Sequence, residues 1–414
     1  MLAHLRRIRS IQHSSKPARP HVHRRRWLTG SPTLADQPKS TADGTGTLRV
    51  LGIESSCDDS CVSIVASDRR ILANIRLGQN HVHKSFNGIH PYHAIHAHQI
   101  NVPIAIGRAL EEAGLRIAEL DGVAYTRGPG IAGCLAVGAT AAKSLAAASG
   151  LPLIAVHHMQ AHALTPFLTH SAEEALRFPF LSLLVSGGHT MLVLVSSSSQ
   201  FKILANTADK PLGLVIDKIS RALEVPWPEG RGSPGSALEQ FVAGAGAGSE
   251  DEGEDEEELP LALRTGPTVF SFCGLQTATV RRLAAAGAAP SPAQRRAIGK
   301  AFLDAAFGQV ERKIRYWFCQ LSSIHHPRLS GLVISGGVGS NQMLKDRVKS
   351  LLASLDPALQ LHIPPPSFCT DNAAMVAWTG LDKLQRGRTS HMHVPVAAKW
   401  CIEDAEDESA GSMT

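Results

Sequence analysis

One pattern recurs in this chain and limits its fold more than any other: a β-rich run, a tip of Ser, Asp or Gly, and a second β-rich run. The first copy is Leu48 to Val65, with Ser55-Ser56-Cys57-Asp58-Asp59 at its tip, and the second is Phe180 to Val195, with Ser186-Gly187-Gly188 at its tip. Gly331 to Asn341 reads as strand, glycine turn and helix start. So does Gly122 to Thr126, which runs through Arg127-Gly-Pro-Gly130 into a small-residue helix over Cys134 to Ala148. A helical period also marks Ile100 to Ala113. Singly, such turns only reverse a chain. Together they predict a duplicated α/β architecture whose loops converge on a nucleotide in a central cleft, because N–H groups in a turn or at a helix N-terminus hold phosphate oxygens without side chains.

Length and composition agree with two core-forming lobes: 414 residues, 43% hydrophobic. Seven cysteines without a C-x-x-C spacing argue against a disulfide framework or a zinc ribbon and fit a reducing compartment. Every apolar stretch is interrupted within about 18 residues, so no bilayer span is expected. The first forty residues carry nine of the 41 lysines and arginines and one of the 36 acids, so the rest of the chain holds 32 against 35. That basic, acid-poor opening is the composition of a mitochondrial transit peptide, the alternative being a basic arm that touches RNA. Residues 243–258 are a Gly/Ser segment with eight acids and predict a disordered surface insertion. The expected organisation is a leader over 1–45, an N-terminal lobe over 46–178, a C-terminal lobe over 179–400 and a tail over 401–414. Arg281, Arg282, Arg295, Arg296, Lys300, Arg312, Lys313 and Arg315 are candidates for an RNA-facing patch, or simply a solvated helix face.

His158 and His162 stand four apart, which on a helix puts both imidazoles on one face, as two ligands of one ion require. Asp371, opening an apolar helix, offers a carboxylate, but the same position suits an N-cap. His157 follows a strand and reads as a satisfied core histidine.

These residues carry a family resemblance. Gly52 to Ser60, Thr126 to Gly130, His158-x3-His162, Leu184 to Thr190, Asp217-Lys218, Phe270 to Thr277, Ser335 to Asn341 and Cys369 to Met375 resemble, in order and spacing, the tRNA threonylcarbamoyladenosine transferases, once called O-sialoglycoprotein endopeptidases. The resemblance runs from about Val50 to the helix after Asp371, and a leader-bearing stand-alone member would be the mitochondrial form. It implies a duplicated actin-like ATPase (ribonuclease-H-like) two-lobe fold. It implies one divalent ion, iron, zinc or manganese, on His158, His162 and Asp371, and an adenylate held by Val185, Ser186, Gly187, Gly188, His189, Asp217, Gly235 and Asn341. Asp58 and Asp59 would be acids needed for turnover. The implied reaction moves the threonylcarbamoyl group from threonylcarbamoyl-AMP, supplied by an upstream synthase, to N6 of adenosine 37 in tRNAs reading codons that begin with A, in a homodimer of the mitochondrial matrix.

The chain departs from the family pattern at His157, at Tyr92 and His96, and at Leu214, where Asn, a Pro-Glu/Arg segment and an acid are usual. A metalloprotease is disfavoured because His158-Met159 lacks the general base of H-E-x-x-H. A kinase or actin-like ATPase without transferase activity explains the turns but has no use for His158 and His162.

Overall fold

Strand order makes the duplication visible. Among the described residues, β1 (Arg49–Glu54), β2 (Asp59–Ala66), β3 (Ile71–Gly78), β4 (Gly122–Gly128) and β5 (Leu153–His157) form one sheet in the order β3-β2-β1-β4-β5. A second sheet of β6 (Phe180–Val185), β7 (Thr190–Ser197), β8 (Gln200–Thr207), β9 (Val269–Phe270), β10 (Gly331–Ser335) and β11 (Gln360–His362) has the order β11-β10-β6-β7-β8-β9. Read from β8 to β11, it repeats the first sheet: an antiparallel meander, then two parallel strands added beside its first member. The extra strand, β9, lies beyond β8. The computed structural model describes residues 46–407 apart from 84–85, 87, 172–175, 227–233, 245–265 and 324–327. The leader over 1–45 and nearly all of the acidic segment over 243–258 lie outside the described residues.

The helices are α1 (Asn80–His83), α2 (Pro91–Ala113), α3 (Ala132–Ser149), α4 (His158–Leu164), α5 (Pro166–Thr169), α6 (Leu212–Ala222), α7 (Pro234–Ala243), α8 (Cys273–Ala285), α9 (Pro292–Ser323), α10 (Gln342–Leu355), α11 (Pro366–Cys369) and α12 (Ala373–Gln385). Helix α2 begins nine residues before the apolar period suggests, because Pro91 stands at its N-terminus, where a missing N–H costs nothing. It stops at Gly114, whose φ of 63° is the left-handed cap conformation. Helix α3 has 18 residues and is long and apolar enough, by length and composition alone, to cross a bilayer. Its inner face, including Leu135, Ala139, Ala142 and Ala146, is buried against the first sheet.

Each sheet is covered on both faces. Helices α2 and α3 pack on one face of the first sheet, and α12 with α4 on the other. Although it follows the second sheet in sequence, α12 reaches the first because small residues let backbones close in. A Cβ on Gly52 would lie 2.6 Å from the Ala373 carbonyl oxygen, and one on Gly380 would lie 2.5 Å from the Ala124 Cβ. Helices α6 to α10 cover one face of the second sheet. Its other face takes Met159 and Ala163 of α4, while Ala161 of the same helix faces the first sheet. The chain after α12 crosses both lobes. The Ala397 N–H donates to the Arg127 carbonyl at 2.9 Å, and the Ile203 N–H of β8 donates to Glu403 at 2.7 Å.

Candidate functional site

Parallel strands β1, β4, β5 of one sheet and β6, β10, β11 of the other present their carboxyl ends to the space around α4, the usual position for a ligand site in open α/β sheets. Helix α4 is short and wholly buried, and is capped at its N-terminus by His157. His157 is a core histidine: Nδ1 accepts the Met159 N–H at 3.1 Å, Nε2 meets the Trp400 carbonyl at 3.1 Å, and burial pushes its pKa down to about 3. Both nitrogens are engaged, so it is no ligand. One residue on, His158 points into the space between the lobes.

Asp371 arrives from 209 residues beyond His162. It does not cap α12. Asn372 does, its side chain accepting the Met375 N–H at 3.0 Å, which leaves the preceding carboxylate to turn toward the imidazoles. Asp371 Oδ1 lies 3.1 Å from His162 Nε2 and 3.5 Å from His158 Nε2. The nitrogens facing away also have partners: His158 Nδ1 meets Glu54 Oε2 at 3.0 Å, and His162 Nδ1 meets Ser335 Oγ at 3.1 Å. His158, His162 and Asp371 can each offer one ligand atom, all within 4.8 Å of one another. Two Nε2 atoms and a carboxylate aimed at one point, with both Nδ1 atoms engaged behind them, fit a divalent ion.

The electrostatics follow from burial. Desolvation alone would lower the His158 pKa, but Glu54 and Asp371 reverse it and raise it to about 9. The two carboxylates are themselves held below their usual range: burial opposes this, and the His158 charge outweighs it. His162 is lowered, first by burial and then by the charge of its neighbour, despite the Asp371 contact. Two carboxylates share one imidazolium, so a cation of higher charge is favoured there.

The expected tips gather at this group. Ser56 Oγ of the first hairpin is 3.5 Å from His158 Nδ1, the His189 ring is 6.4 Å from the His158 ring, and Ser335 opens the third tip. A Cβ on Gly336, which has φ 101°, would lie 2.3 Å from the Val185 carbonyl oxygen, so the second and third tips touch. A Cβ on Gly213 would meet Ser186 and Gly187, which seats the Val185 to His189 turn on the start of α6. Within that turn Ser186 Oγ accepts the N–H groups of Gly188 and His189 at 3.2 and 3.1 Å. Burial and the positive His158 beside it lower the His189 pKa to about 4. Asp217 is raised to about 6 by burial, against the pull of Arg221 and of the Gly235 N–H. Asn341 caps α10, accepting the Leu344 N–H at 3.0 Å.

The two acids of the first tip differ. Asp59 is tied to Arg76 at 2.6 Å, and Arg76 also reaches Thr370 Oγ1 at 2.9 Å, bridging the tip to the Asp371 loop. Asp58 is raised to about 6 by burial and by the nearby negative charges of Asp59 and Asp371. Two residues that pattern reading missed hold the site in shape. Glu54 backs His158, and His98 of α2 holds the tip through Ser60 Oγ at 2.7 Å and the Cys57 carbonyl at 3.1 Å. Tyr92 and His96 lie on the exposed face of α2, and Leu214 is half-buried on α6. The expected basic patch divides: Lys313 is buried with its ammonium on the Gly266 carbonyl, and Arg295 and Lys300 pair with Glu224 and Asp304.

An internally repeated α/β fold of two sheets, with an imidazole–carboxylate group at the carboxyl ends of both, defines the kind of protein. Solved structures to which the chain is similar include the activator of 2-hydroxyisocaproyl-CoA dehydratase from Clostridium difficile, at a TM-score of 0.44 and 11% identity over 82% of this chain and 97% of that one. Another is a ROK family glucokinase from Streptomyces griseus, at 0.41 and 10% over 81% and 99%. The family profile described as TsaD: tRNA N6-adenosine threonylcarbamoyltransferase matches residues 70–378. Proteins of that description from Bartonella bacilliformis and Pelobacter propionicus are each 35% identical over 86% of this chain, covering 96% and 97% of their own lengths. One from Paracoccus denitrificans is 36% identical over 86% of this chain and 94% of its own. The chain belongs to the TsaD family of tRNA N6-adenosine threonylcarbamoyltransferases.

Proposed function

We propose that the chain transfers the threonylcarbamoyl group of threonylcarbamoyl-AMP to N6 of adenosine 37 in mitochondrial tRNAs that read codons beginning with A, and releases AMP. The observation that carries this reading is the meeting of His158, His162 and Asp371 with the three tips at Ser56, His189 and Ser335. In the reaction the N6 lone pair attacks the carbamoyl carbon, a C–N bond forms, and the bond from that carbon to the phosphate oxygen breaks. Asp58 takes the N6 proton. Its pKa of about 6 suits a base working near neutrality, whereas Asp59 is committed to Arg76. The turn at Val185 to His189, with Asp217, Gly235 and Asn341, orients the adenylate. His158, His162 and Asp371 would hold iron, zinc or manganese, which supplies Lewis-acid stabilisation of charge on the leaving phosphate.

Purified protein lacking residues 1–45, a threonylcarbamoyl-adenylate synthase and mitochondrial tRNA should yield threonylcarbamoyladenosine by nucleoside mass spectrometry, with AMP in equal amount. No modified nucleoside beside an active control enzyme would reject the assignment, and ATP turnover without transfer would favour a kinase or ATPase. Elemental analysis identifies the metal. Light scattering tests a homodimer, and imaging of the full chain tests a mitochondrial address for the basic leader.

A further inference from the structure

Glu54 is an unusual residue for its place. It ends a strand whose Val50 to Ile53 are apolar, is fully buried, and faces donors alone: the Ser56 N–H at 2.5 Å on Oε1, with the Thr126 hydroxyl at 2.5 Å and His158 Nδ1 at 3.0 Å on Oε2. A carboxylate whose other contacts are donors can only accept from the ring, so the Nδ1 proton is fixed, and it is the Nε2 proton that an incoming ion would displace to reach a lone pair. That nitrogen is the one directed at Asp371. His162 is treated differently. Its Nδ1 meets the Ser335 hydroxyl, which rotates to donate or accept and so dictates nothing. We infer that Glu54 is the positioning residue of the metal group, setting the tautomer and tilt of His158 so that its Nε2 joins His162 and Asp371 on one ion. The inference rests on the metal reading given above and adds an anionic acceptor behind one ligand and a neutral, adaptable partner behind the other. Loss of such a backing group typically weakens metal binding about 10- to 100-fold while leaving every ligand present.

Zinc is the probe: its affinity for the purified protein is measured by competition with a chromophoric chelator, alongside the thermal midpoint of each metal-free variant. Wild type should bind one zinc per chain and His158→Ala should lose it. Glu54→Ala should bind about 10- to 100-fold more weakly, and Ser335→Ala should change less than Glu54→Ala. Glu54→Gln should fall between wild type and Glu54→Ala, because its carbonyl can still accept from Nδ1 while its NH2 opposes another donor. A purely structural Glu54 predicts lower midpoints with zinc affinity unchanged. Wild-type affinity in Glu54→Ala and Glu54→Gln, with zinc lost in His158→Ala, overturns the inference and spares the metal reading. Wild-type affinity in His158→Ala as well removes both. If Glu54→Ala does not fold, the isosteric Glu54→Gln decides.

Discussion

Two groups of histidines in this molecule have the same ring spacing and opposite surroundings. His158 and His162 have centroids 4.7 Å apart, and so do His90 and His93 at the start of α2. The first pair is buried between the lobes, with Glu54, Asp371 and Ser335 as partners of the ring nitrogens. In the second, the Phe86 ring lies 4.7 Å from His90, tilted, and 4.9 Å from His93, stacked, beside Tyr92, which is 62% exposed. Among the described residues the only group of His, Cys, Asp or Glu arranged to hold an ion is His158, His162 and Asp371. Proximity of imidazoles is therefore a poor guide to a metal centre. Carboxylates that fix the tautomer and compensate the charge make the difference.

The largest expected effect separates the two groups outright. His158→Ala, His162→Ala or Asp371→Ala should each lower nucleoside formation at least about 10²-fold, on the scale of losing one stabilising group from a charged transition state. His93→Ala should leave both metal content and turnover near wild type. Loss of metal in the His93 variant would break the comparison. Asp58→Asn comes next, with activity down about 10²- to 10⁴-fold if Asp58 accepts the proton. Its stability effect has the opposite sign. The carboxyl is raised from 3.8 to about 6 in the fold, so the stability it contributes is complete below about pH 3.8 and is lost as pH climbs through 6. Metal-free Asp58→Asn should melt above wild type at pH 7.5, and that advantage should vanish by pH 4. A variant that melts lower at pH 7.5 would contradict the raised pKa.

Asn372→Ala should cost about 1 kcal/mol of stability through the lost N-cap, and should loosen metal binding by freeing Asp371 to swing into the vacated cap. The comparison is sharpened if denaturant midpoint and metal affinity fall together, and blunted if only the midpoint moves. Smallest of all, His96→Ala on the exposed face of α2 should stay within about 0.5 kcal/mol of wild type.

What could be read beforehand was local. The hairpin at Leu48 to Val65, the strand at Gly331 to Ser335 and the helical pairing of His158 with His162 depend on residues a few positions apart, where periodicity and turn chemistry act. Asp371 was ambiguous because Asp371 and Asn372 both suit an N-cap, and only packing decides which one turns outward. Glu54 was hidden for another reason: one acid in a strand carries no pattern, and its partners come from Thr126 and from His158, 104 positions away. The return of α12 to the first sheet depends on pairings such as Gly52 against Ala373 and Ala377, which no local window contains.

The crossing of α12 back to the first sheet governs when the reaction centre can exist. His162 leaves the ribosome long before Asp371, and at about 5–20 residues per second the 209 positions between them take roughly 10–40 s to synthesise. Throughout that interval a nascent chain holds two imidazoles and no third ligand. A metal held by His158, His162 and Asp371 would therefore be acquired only as a late event, once the second sheet has been made and α12 is about to follow.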